Sequence, residues 1–427
     1  AEVTERRSMK ARQLTGTLST AFAALTLLLN VGAAREIHVA KNGNDGNSGM
    51  ASSPLLTIMA AAEIAWPGDV ITVHRGIYRE EINPPRGGTS DDRRIVYQAA
   101  PGEPVEIRGS EAVTGWEKDG EDVWKTEIPN TLFGNFNPFA DVVSGNWFKD
   151  KGRDHHTGCV YLDGEWLFEA ASREEVPNAK WPMAWYAKVA AKTTTVWATF
   201  DGKNPNDHVT EVNVRQTVFY PRKPFTNYIT VRGFKMRHAA PTWAPPTAEQ
   251  MGLIGTHWSK GWIIEENVIS HSINAGVSLG KYGDEFDNKE GTAQAYLDSI
   301  DRARNNGWNR ETVGSHVVRN NEISYCEQVG IVGSMGASFS KIIGNHVHHI
   351  HIQARFTGAE MAGMKFHAPI DMLIRGNRIH DTGRAIWLDW MTQGTRVTRN
   401  LCYRNGGDDA FLEVNQGPCV IAVSYTH

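Results

Sequence analysis

The chain has little cysteine, no surplus of positive charge and no long uninterrupted apolar segment. Its 427 residues include four cysteines, which have neither the paired spacing of a zinc site nor the density of a disulfide framework. We therefore expect free thiols or at most one bridge. We predict no cofactor and name no metal ligands, and the sequence leaves a structural metal open. The 44 Lys and Arg and the 48 Asp and Glu give a net charge of -4 without a basic run. A chain with this charge balance lacks the basic surface that binds nucleic acid, so neutral substrates are expected instead of polyanions.

The first 34 residues have the pattern of an export signal. Lys10 and Arg12 follow Met9, and then come a largely apolar run over residues 14–29 and several small residues. The apolar run is short for a membrane anchor. We therefore predict upstream residues and a signal peptide over residues 1–34, no membrane attachment, and a secreted or periplasmic protein.

Internal repetition is the strongest structural signal in the rest of the chain. Apolar strands separated by short polar turns recur, and five turns carry an asparagine at the same position, spaced by 54, 24, 32 and 23 residues: Asn267, Asn321, Asn345, Asn377 and Asn400. Such a period indicates a solenoid in which each coil buries its apolar face against the next. We predict an all-β fold, a right-handed parallel β-helix, and we interpret the stacked asparagines as structural.

Two segments interrupt this repeat. Alternating strands with Asp-Gly and Asn-Pro turns predict an inserted β-sandwich over residues 109–222. A polar, partly helical insertion over residues 281–312 is expected to project as a loop. The β-helix then has an N-terminal cap and first coils over residues 35–108, with a short helix from about Thr57 to Ala65, and a catalytic core over residues 223–427.

The last three coils align by their second strand. The segments GMKFHAP, AIWLDWM and AFLEVNQ place Phe366, Leu388 and Leu412 in one inward column, because alternate side chains of a strand point to opposite faces. Two outward columns follow from this alignment. One contains Lys365, Trp387 and Phe411, and the next contains His367, Asp389 and Glu413. Asp389 and Glu413 are one coil apart, so we expect their carboxyl groups to be close together on the solvent face.

Two carboxylates on neighbouring strands repel each other, which a purely structural solenoid would normally avoid. Retaining glycosidases need such a pair at about 5 to 5.5 Å, with one group as nucleophile and the other as acid and then base, whereas inverting enzymes hold the pair about 6.5 to 9.5 Å apart. The one-coil spacing therefore favours retention. The alternative is an accidental acidic pair on an exposed face.

The runs RAIWLDWMTQGTRVTRN and DDAFLEVNQGP resemble the catalytic region of the glycoside hydrolase family 120 β-xylosidases. The resemblance extends over about residues 37–418. It implies that Asp389, in WLDW, is the nucleophile and that Glu413, in LEVN, is the acid/base. It also implies a β-helix interrupted by a β-sandwich, and xylo-oligosaccharide substrates. It further implies that Glu360 is hydrogen-bonded to the sugar bound at the cleavage point.

Three residues of the outward columns are further candidates for substrate binding. Lys365 and His367 either stabilise the ionised Asp389 or are solvated surface cations. Trp387, on the face of Asp389, either supports the sugar or packs against its column neighbours.

Four candidates lie outside those columns. Asn415, two residues beyond Glu413 on the same strand face, is a candidate partner for a sugar hydroxyl. Trp147 is a candidate aromatic that reaches the cleft from the inserted domain. Glu285 and Asp287 either border the site or belong to an ordinary acidic loop.

Two other functions are compatible with a β-helix. A polysaccharide lyase needs a Lys or Arg base and Ca²⁺ or cationic side chains for the uronate, whereas the predicted cleft contains mainly carboxylates and aromatics. A non-catalytic glycan-binding surface protein displays aromatics without needing the acidic pair. The sequence does not determine the oligomeric state, and a homo-oligomer is one of the possibilities. It also does not determine whether the enzyme acts at chain ends or within chains. The chain ends 14 residues after Glu413, and VIAVSYTH does not continue the repeat, so we expect C-terminal coils to be missing.

Overall fold

The computed structural model describes residues 34–422 and 424–426. Except for its last residue, the export signal predicted for residues 1–34 lies outside them, so export stays a prediction. The described residues form a parallel β-helix of three sheets, into which a pair of mainly antiparallel sheets is inserted. The predicted fold class is therefore confirmed.

Strands of successive coils stack in parallel in each sheet of the β-helix. The first sheet stacks Glu36–Val39, Val70–Val73, Ile95–Ala99, Ile229–Arg232, Ile263–Glu265, Val317–Arg319, Lys341–Ile343, Leu373–Arg375, Arg396–Thr398 and Val420–Ala422. The second sheet stacks Gly76–Tyr78, Val105–Arg108, Lys235–Ala239, Val268–Ser272, Glu322–Cys326, His346–Ile350, Arg378–His380, Leu401–Tyr403 and Tyr425–Thr426. The third sheet stacks Gly252–Gly255, Ala275–Ser278, Val329–Ser334, Ala362–His367, Arg384–Asp389 and Ala410–Leu412.

Inward apolar columns fix the register of these strands. One column of the first sheet is at most 2% exposed and runs through directly paired residues, namely Ile264, Val318, Ile342, Ile374 and Val397. Burial of each such side chain contributes about 1.5–3 kcal/mol. A slip of one residue would turn the whole column towards solvent, so the alternation of the sequence specifies a single pairing.

The five asparagines of the repeat form a buried ladder between the first and second sheets. The side-chain amide of each donates to the side-chain oxygen of the next, at 3.1, 3.0, 3.0 and 2.9 Å in the order Asn267, Asn321, Asn345, Asn377, Asn400. The same amides also donate to backbone carbonyls of the first-sheet strand in the preceding coil. The structural interpretation of these asparagines is confirmed.

The inserted domain is built from two sheets over one apolar core. One sheet orders Glu165–Trp166, Val160–Leu162, Thr210–Asn213 and Ser110–Ala112. The other orders Phe168–Glu169, Ala184–Val189, Thr193–Ala198, Trp124–Pro129 and Glu117–Lys118. Their shared core includes Trp116, Phe139, Leu162, Trp185 and Val212. After the insertion, Ile229–Arg232 pairs directly with Ile95–Ala99, so the β-helix continues as if uninterrupted.

Helix α1, Ile58–Ile64, lies in the N-terminal cap and has the predicted position. Thr57 caps it, because its side chain accepts a hydrogen bond from the Ala60 backbone. Short 3₁₀ helices occur at Asp91–Arg93, Asn130–Phe133, Val176–Asn178 and Pro205–Asp207. All four cysteines are free thiols.

Helix α2, Ala293–Asn305, belongs to the insertion of residues 281–312. The expectation that this insertion projects is wrong, because Tyr296, Ile300 and Ala303 are buried on one face of the helix and pack in a cluster with the β-helix. The helix therefore lies against the third sheet. No helix among the described residues is both long enough and apolar enough to cross a membrane.

Candidate active site

The predicted alignment of the last three coils is confirmed by the pairing of the third sheet. In this register Trp387 pairs with Lys365 on one side and with Phe411 on the other, and Leu388 pairs with Phe366 and Leu412 in the same way. Asp389 pairs with His367. The backbone amide of Glu413 donates to the Leu388 carbonyl at 2.9 Å. Asp389 ends its strand and Glu413 directly follows the next strand, so the two residues are neighbours on adjacent coils. Leu412, on the last described strand of the sheet, is 40% exposed, whereas Phe366 and Leu388 are buried.

The outward face of these strands lines a half-open cavity of about 370 Å³. Asp389 is only 4% exposed, whereas Glu413 is half-buried, so the expectation that the acidic pair faces solvent is wrong for Asp389. Lys365, in the next column, is fully buried. The cavity is lined by Trp147, Pro246, Ala293, Tyr296, Ala359, Glu360, Lys365, His367, Arg384, Trp387, Asp389, Trp390, Phe411 and Glu413. The structure thus brings together seven of the eight predicted site residues.

Asp389 sits among hydrogen-bond donors. The Lys365 ammonium contacts Oδ2 at 2.9 Å, and the Trp390 backbone amide donates to Oδ1 at 2.8 Å. His367 Nε2 lies 3.4 Å from Oδ2. Because Lys365 and His367 are both buried, the alternative that they are solvated surface cations is wrong. These groups stabilise negative charge on Asp389.

Glu360 contacts Lys365 and His367, the same two side chains that contact Asp389. Its Oε2 lies 3.2 Å from His367 Nε2 and 3.6 Å from the Lys365 ammonium. Burial alone would raise the pKa of Glu360, but Lys365 and His367 hold that pKa below its ordinary value. The cavity therefore contains two buried carboxylates that share one ammonium group.

Glu413 is oriented by the indole of Trp387. The indole Nε1 donates to Glu413 Oε2 at 3.1 Å. Three side chains pack against this indole. The Lys365 ammonium lies 3.0 Å from the ring centroid of Trp387, the Arg384 guanidinium lies 4.4 Å from it, and the centroid of the Phe411 ring lies 5.2 Å from it. The packing alternative for Trp387 is thus observed, and the tryptophan also lines the cavity and fixes the acidic side chain beside it.

The inserted domain covers one side of the cavity through Trp147. Strand Phe148–Lys149 pairs with Thr357–Gly358, and the Trp147 carbonyl accepts a hydrogen bond from Ala359 at 3.2 Å. A Cβ at Gly358 would lie 2.5 Å from the Trp243 ring, so only glycine permits this approach. The inserted domain is therefore joined to the segment that carries Glu360.

The other side of the cavity is covered by residues that the sequence did not predict. The Tyr296 ring, on helix α2, lies 5.0 Å from the His367 ring and 5.6 Å from that of Trp390. The spacing of Tyr296, Ile300 and Ala303 marks a buried helix face, which is the signal that could have predicted this contact. Arg384, which packs on Trp387, carried no comparable signal.

Three predicted residues lie outside the cavity lining. The strand that was expected to carry Asn415 ends at Leu412, and Val414 has a left-handed backbone with φ of 51°. Asn415 is consequently exposed and not on the face of Glu413, which corrects its predicted position. Glu285 is exposed, and Asp287 binds the Lys281 ammonium at 3.0 Å.

Comparisons with known proteins agree with this architecture. Residues 113–212 match the profile of the glycoside hydrolase 120 insertion domain. The fold is similar to that of XylC, whose structure was solved in complex with xylose, with a TM-score of 0.88 and 43% sequence identity over 90% of this chain. The chain spans 65% of the length of that XylC chain.

A solved glycoside hydrolase is similar in fold alone, with a TM-score of 0.50 and 12% identity over 92% of this chain and 96% of that chain. A search of curated proteins found no match. The resemblance to glycoside hydrolase family 120 that the sequence motifs predicted is confirmed by the insertion-domain match and by the similarity to XylC.

Proposed function

We propose that this chain is a member of glycoside hydrolase family 120 and acts as a retaining β-xylosidase on xylo-oligosaccharides. The observation that carries the proposal is the placement of Asp389 and Glu413, from adjacent coils, in the wall of one cavity of about 370 Å³. The similarity to XylC, a protein solved with xylose, supports a sugar of that size as the occupant.

Asp389 is the proposed nucleophile. Its carboxylate attacks the anomeric carbon and forms a covalent xylosyl intermediate while the leaving oxygen departs. The Lys365 ammonium at 2.9 Å and the Trp390 amide at 2.8 Å stabilise the negative charge that the attack requires. Burial of these groups strengthens their electrostatic interaction with Asp389.

Glu413 is the proposed acid and then base. It protonates the leaving oxygen in the first step, and in the second step it removes a proton from the water that attacks the intermediate. Adjacent strands lie about 4.8 Å apart, which is close to the carboxyl separation of about 5 to 5.5 Å in retaining enzymes. The strand geometry therefore supports retention.

The remaining polar groups bind the sugar. Glu360 accepts a hydrogen bond from a sugar hydroxyl, since its carboxylate lines the cavity and Lys365 and His367 hold it in place. Trp147 and Tyr296 also line the cavity and provide aromatic surface for the sugar ring.

The geometry disfavours the lyase alternative. A lyase needs a free basic side chain beside the uronate. Lys365 is buried and lies between two carboxylates, 2.9 Å from Asp389 and 3.6 Å from Glu360. Lys365 is thus already paired with carboxylates, and the local negative charge would repel a uronate.

The test is release of 4-nitrophenol from its β-xyloside, compared with the α-arabinofuranoside and the β-glucoside. We expect the β-xyloside to be the best of the three and the first xylose detected by proton NMR to be the β-anomer. Asp389→Asn should abolish turnover, whereas Asn415→Ala, a change outside the cavity, should not. An initial α-anomer would exclude retention, and equal activity of Asp389→Asn would exclude the nucleophile assignment.

A further inference from the structure

A cluster of imidazoles on the second sheet lies outside the cavity lining. His346, His348 and His349 belong to strand His346–Ile350, and His380 ends the next strand of the sheet. Consecutive side chains of a regular strand point to opposite faces. His349 has a left-handed backbone with φ of 53°, which allows its Nδ1 to approach that of His348 to 2.7 Å.

The next coil completes the cluster. His348 pairs with His380 in the strand register, and their rings stack at 5.2 Å with an angle of 7°. His346 Nε2 lies 2.7 Å from His380 Nε2, and Asp381 Oδ2 accepts from His380 Nδ1 at 2.6 Å. Four imidazoles and one carboxylate from two coils thus converge.

Three of these side chains can point one ligand atom each at a common ion. The available atoms of His349, His380 and Asp381 all lie within 4.8 Å of one another. Zinc binds imidazole nitrogens at about 2.0–2.1 Å and carboxylate oxygens at about 2.0–2.2 Å. Two ligands of one ion therefore lie no more than about 4 Å apart, so only small side-chain rotations are needed to close the site.

One contact competes with a metal ion. Arg404 donates to Asp381 Oδ1 at 3.0 Å and makes a second, short contact with Oδ2. The Arg404 side chain is 64% exposed, so its guanidinium can turn into solvent when a cation binds. The positive charge of Arg404 weakens cation binding but does not block access to the imidazole nitrogens.

We propose that this cluster binds a divalent transition-metal ion of the zinc type, with His349, His380 and Asp381 as protein ligands. The mixture of imidazole nitrogen and carboxylate oxygen suits Zn²⁺, Ni²⁺ and Cu²⁺ better than Ca²⁺ or Mg²⁺. The ion joins two successive coils across the sheet and stabilises the β-helix independently of the proposed glycosidase activity.

The experiment uses the untagged full chain after dialysis against a chelator. Titration with ZnCl₂ is followed by calorimetry, and CoCl₂ is added separately to record the visible absorption of Co²⁺ bound to nitrogen and oxygen. The wild type should bind one ion per chain, and Zn²⁺ should raise its melting temperature. His349→Gln and His380→Gln should each lower the affinity by at least about tenfold.

The matched control is His74→Gln. His74 and His38 form another stacked imidazole pair, with nitrogens 3.1 Å apart, and Glu103 lies 3.1 Å from His74 Nδ1. Among the described residues these three do not form a group whose ligand atoms all lie close enough together for one ion. This variant should bind the ion like the wild type. The proposal is overturned if the wild type shows neither stoichiometric Zn²⁺ binding nor a Co²⁺ spectrum that a chelator reverses. It is equally overturned if His380→Gln binds Zn²⁺ with wild-type affinity. The wild-type Co²⁺ spectrum decides the matter even if a variant does not fold.

Discussion

At the scale of single residues, Lys365 controls the charge balance of the cavity. Its buried ammonium contacts Asp389 at 2.9 Å and Glu360 at 3.6 Å, so it compensates two carboxylates at once. A buried charge without a partner is strongly unfavourable. Removing this one cation would therefore force the two carboxylates to share a proton, which would oppose ionisation of the proposed nucleophile.

We accordingly predict that Lys365→Met lowers kcat on 4-nitrophenyl β-xyloside by at least about 100-fold, the effect of a few kcal/mol. The acidic limb of the pH profile should move to higher pH, since Asp389 must be ionised to attack. Kinetics between acidic and neutral pH provide the measurement. Lys341→Met, at an exposed position of the first sheet, is the control. An unshifted acidic limb would argue against the charge-balancing role.

The role of Glu413 predicts a dependence on the leaving group. Glu413→Ala should slow xylobiose hydrolysis by about 10²–10⁴-fold and slow the first step with activated aryl xylosides far less, because good leaving groups scarcely need a proton. The second step still lacks its base, so a xylosyl adduct on Asp389 should accumulate and be visible by mass spectrometry.

Azide should release that adduct as the β-xylosyl azide. Glu285→Ala, at an exposed acidic residue outside the cavity, is the control and should behave like the wild type. Equal losses on good and poor leaving groups, with neither adduct nor azide product, would leave Glu360 as the next candidate for acid/base.

At the scale of elements, the asparagine ladder holds the turns of successive coils in register. Asn345 accepts from the Asn321 amides and donates to Asn377 and to the Val318 carbonyl. We predict that Asn345→Ala lowers the free energy of unfolding by about 2–4 kcal/mol, because several buried groups lose partners at about 1–3 kcal/mol each. Urea unfolding measures the effect. Asn415→Ala, at an exposed position, is the control and should change the unfolding midpoint little. A midpoint for Asn345→Ala equal to that of the wild type would contradict the prediction.

The elements also show which parts of the site can be predicted from the sequence. The register of the third sheet follows from alternation along each strand, so the columns that place Asp389 beside His367 and Glu413 were predictable. Asn415 was misplaced, because the strand ends at Leu412 and alternation no longer applies. Nothing local indicates that Val414 adopts a left-handed backbone.

The covering of the site could not be predicted in the same way. Trp147 and Tyr296 reach the cavity from separate insertions, and their positions depend on tertiary contacts and not on a repeat. The burial of Asp389 and Lys365 follows from that covering. A solvent-facing acidic pair was therefore the natural expectation from strand alternation alone. It was wrong for Asp389, because both insertions fold back over the third sheet, whereas Glu413 is half-buried.

At the scale of the whole molecule, a buried ion pair joins the inserted domain to the β-helix. Arg355 donates to Glu169 Oε2 at 2.9 Å, and His156 lies 2.8 Å from Oε1. Burial alone would raise the pKa of Glu169, but His155, His156 and Arg355 lower it to about 2. Arg355 lies two residues before Thr357–Gly358, the segment that pairs with the strand after Trp147, so this ion pair also stabilises one wall of the cavity.

The lowered pKa of Glu169 predicts how the stability of the molecule depends on pH. Because the carboxylate ionises more readily in the folded chain, its stabilising contribution is complete above its ordinary pKa of 4.5. That contribution is lost as the pH falls towards about 2. We therefore expect the wild type to lose stability steeply below pH 4.5. The Glu169→Gln variant has no carboxylate at this position, so it should be less stable than the wild type at neutral pH. Its stability should also decline less steeply as the pH falls.

Urea unfolding midpoints from pH 6 down to pH 3 measure this difference, and steady-state kinetics at neutral pH show whether the cavity is affected. Glu169→Gln should raise KM for the β-xyloside more than it lowers kcat, since it loosens Trp147 and leaves Asp389 and Glu413 in place. Asp371→Asn is the control, because Asp371 pairs with Arg310 at the surface, where an ion pair contributes at most about 1 kcal/mol. Parallel pH dependences for the wild type and Glu169→Gln would show that this ion pair does not govern the acid stability of the molecule.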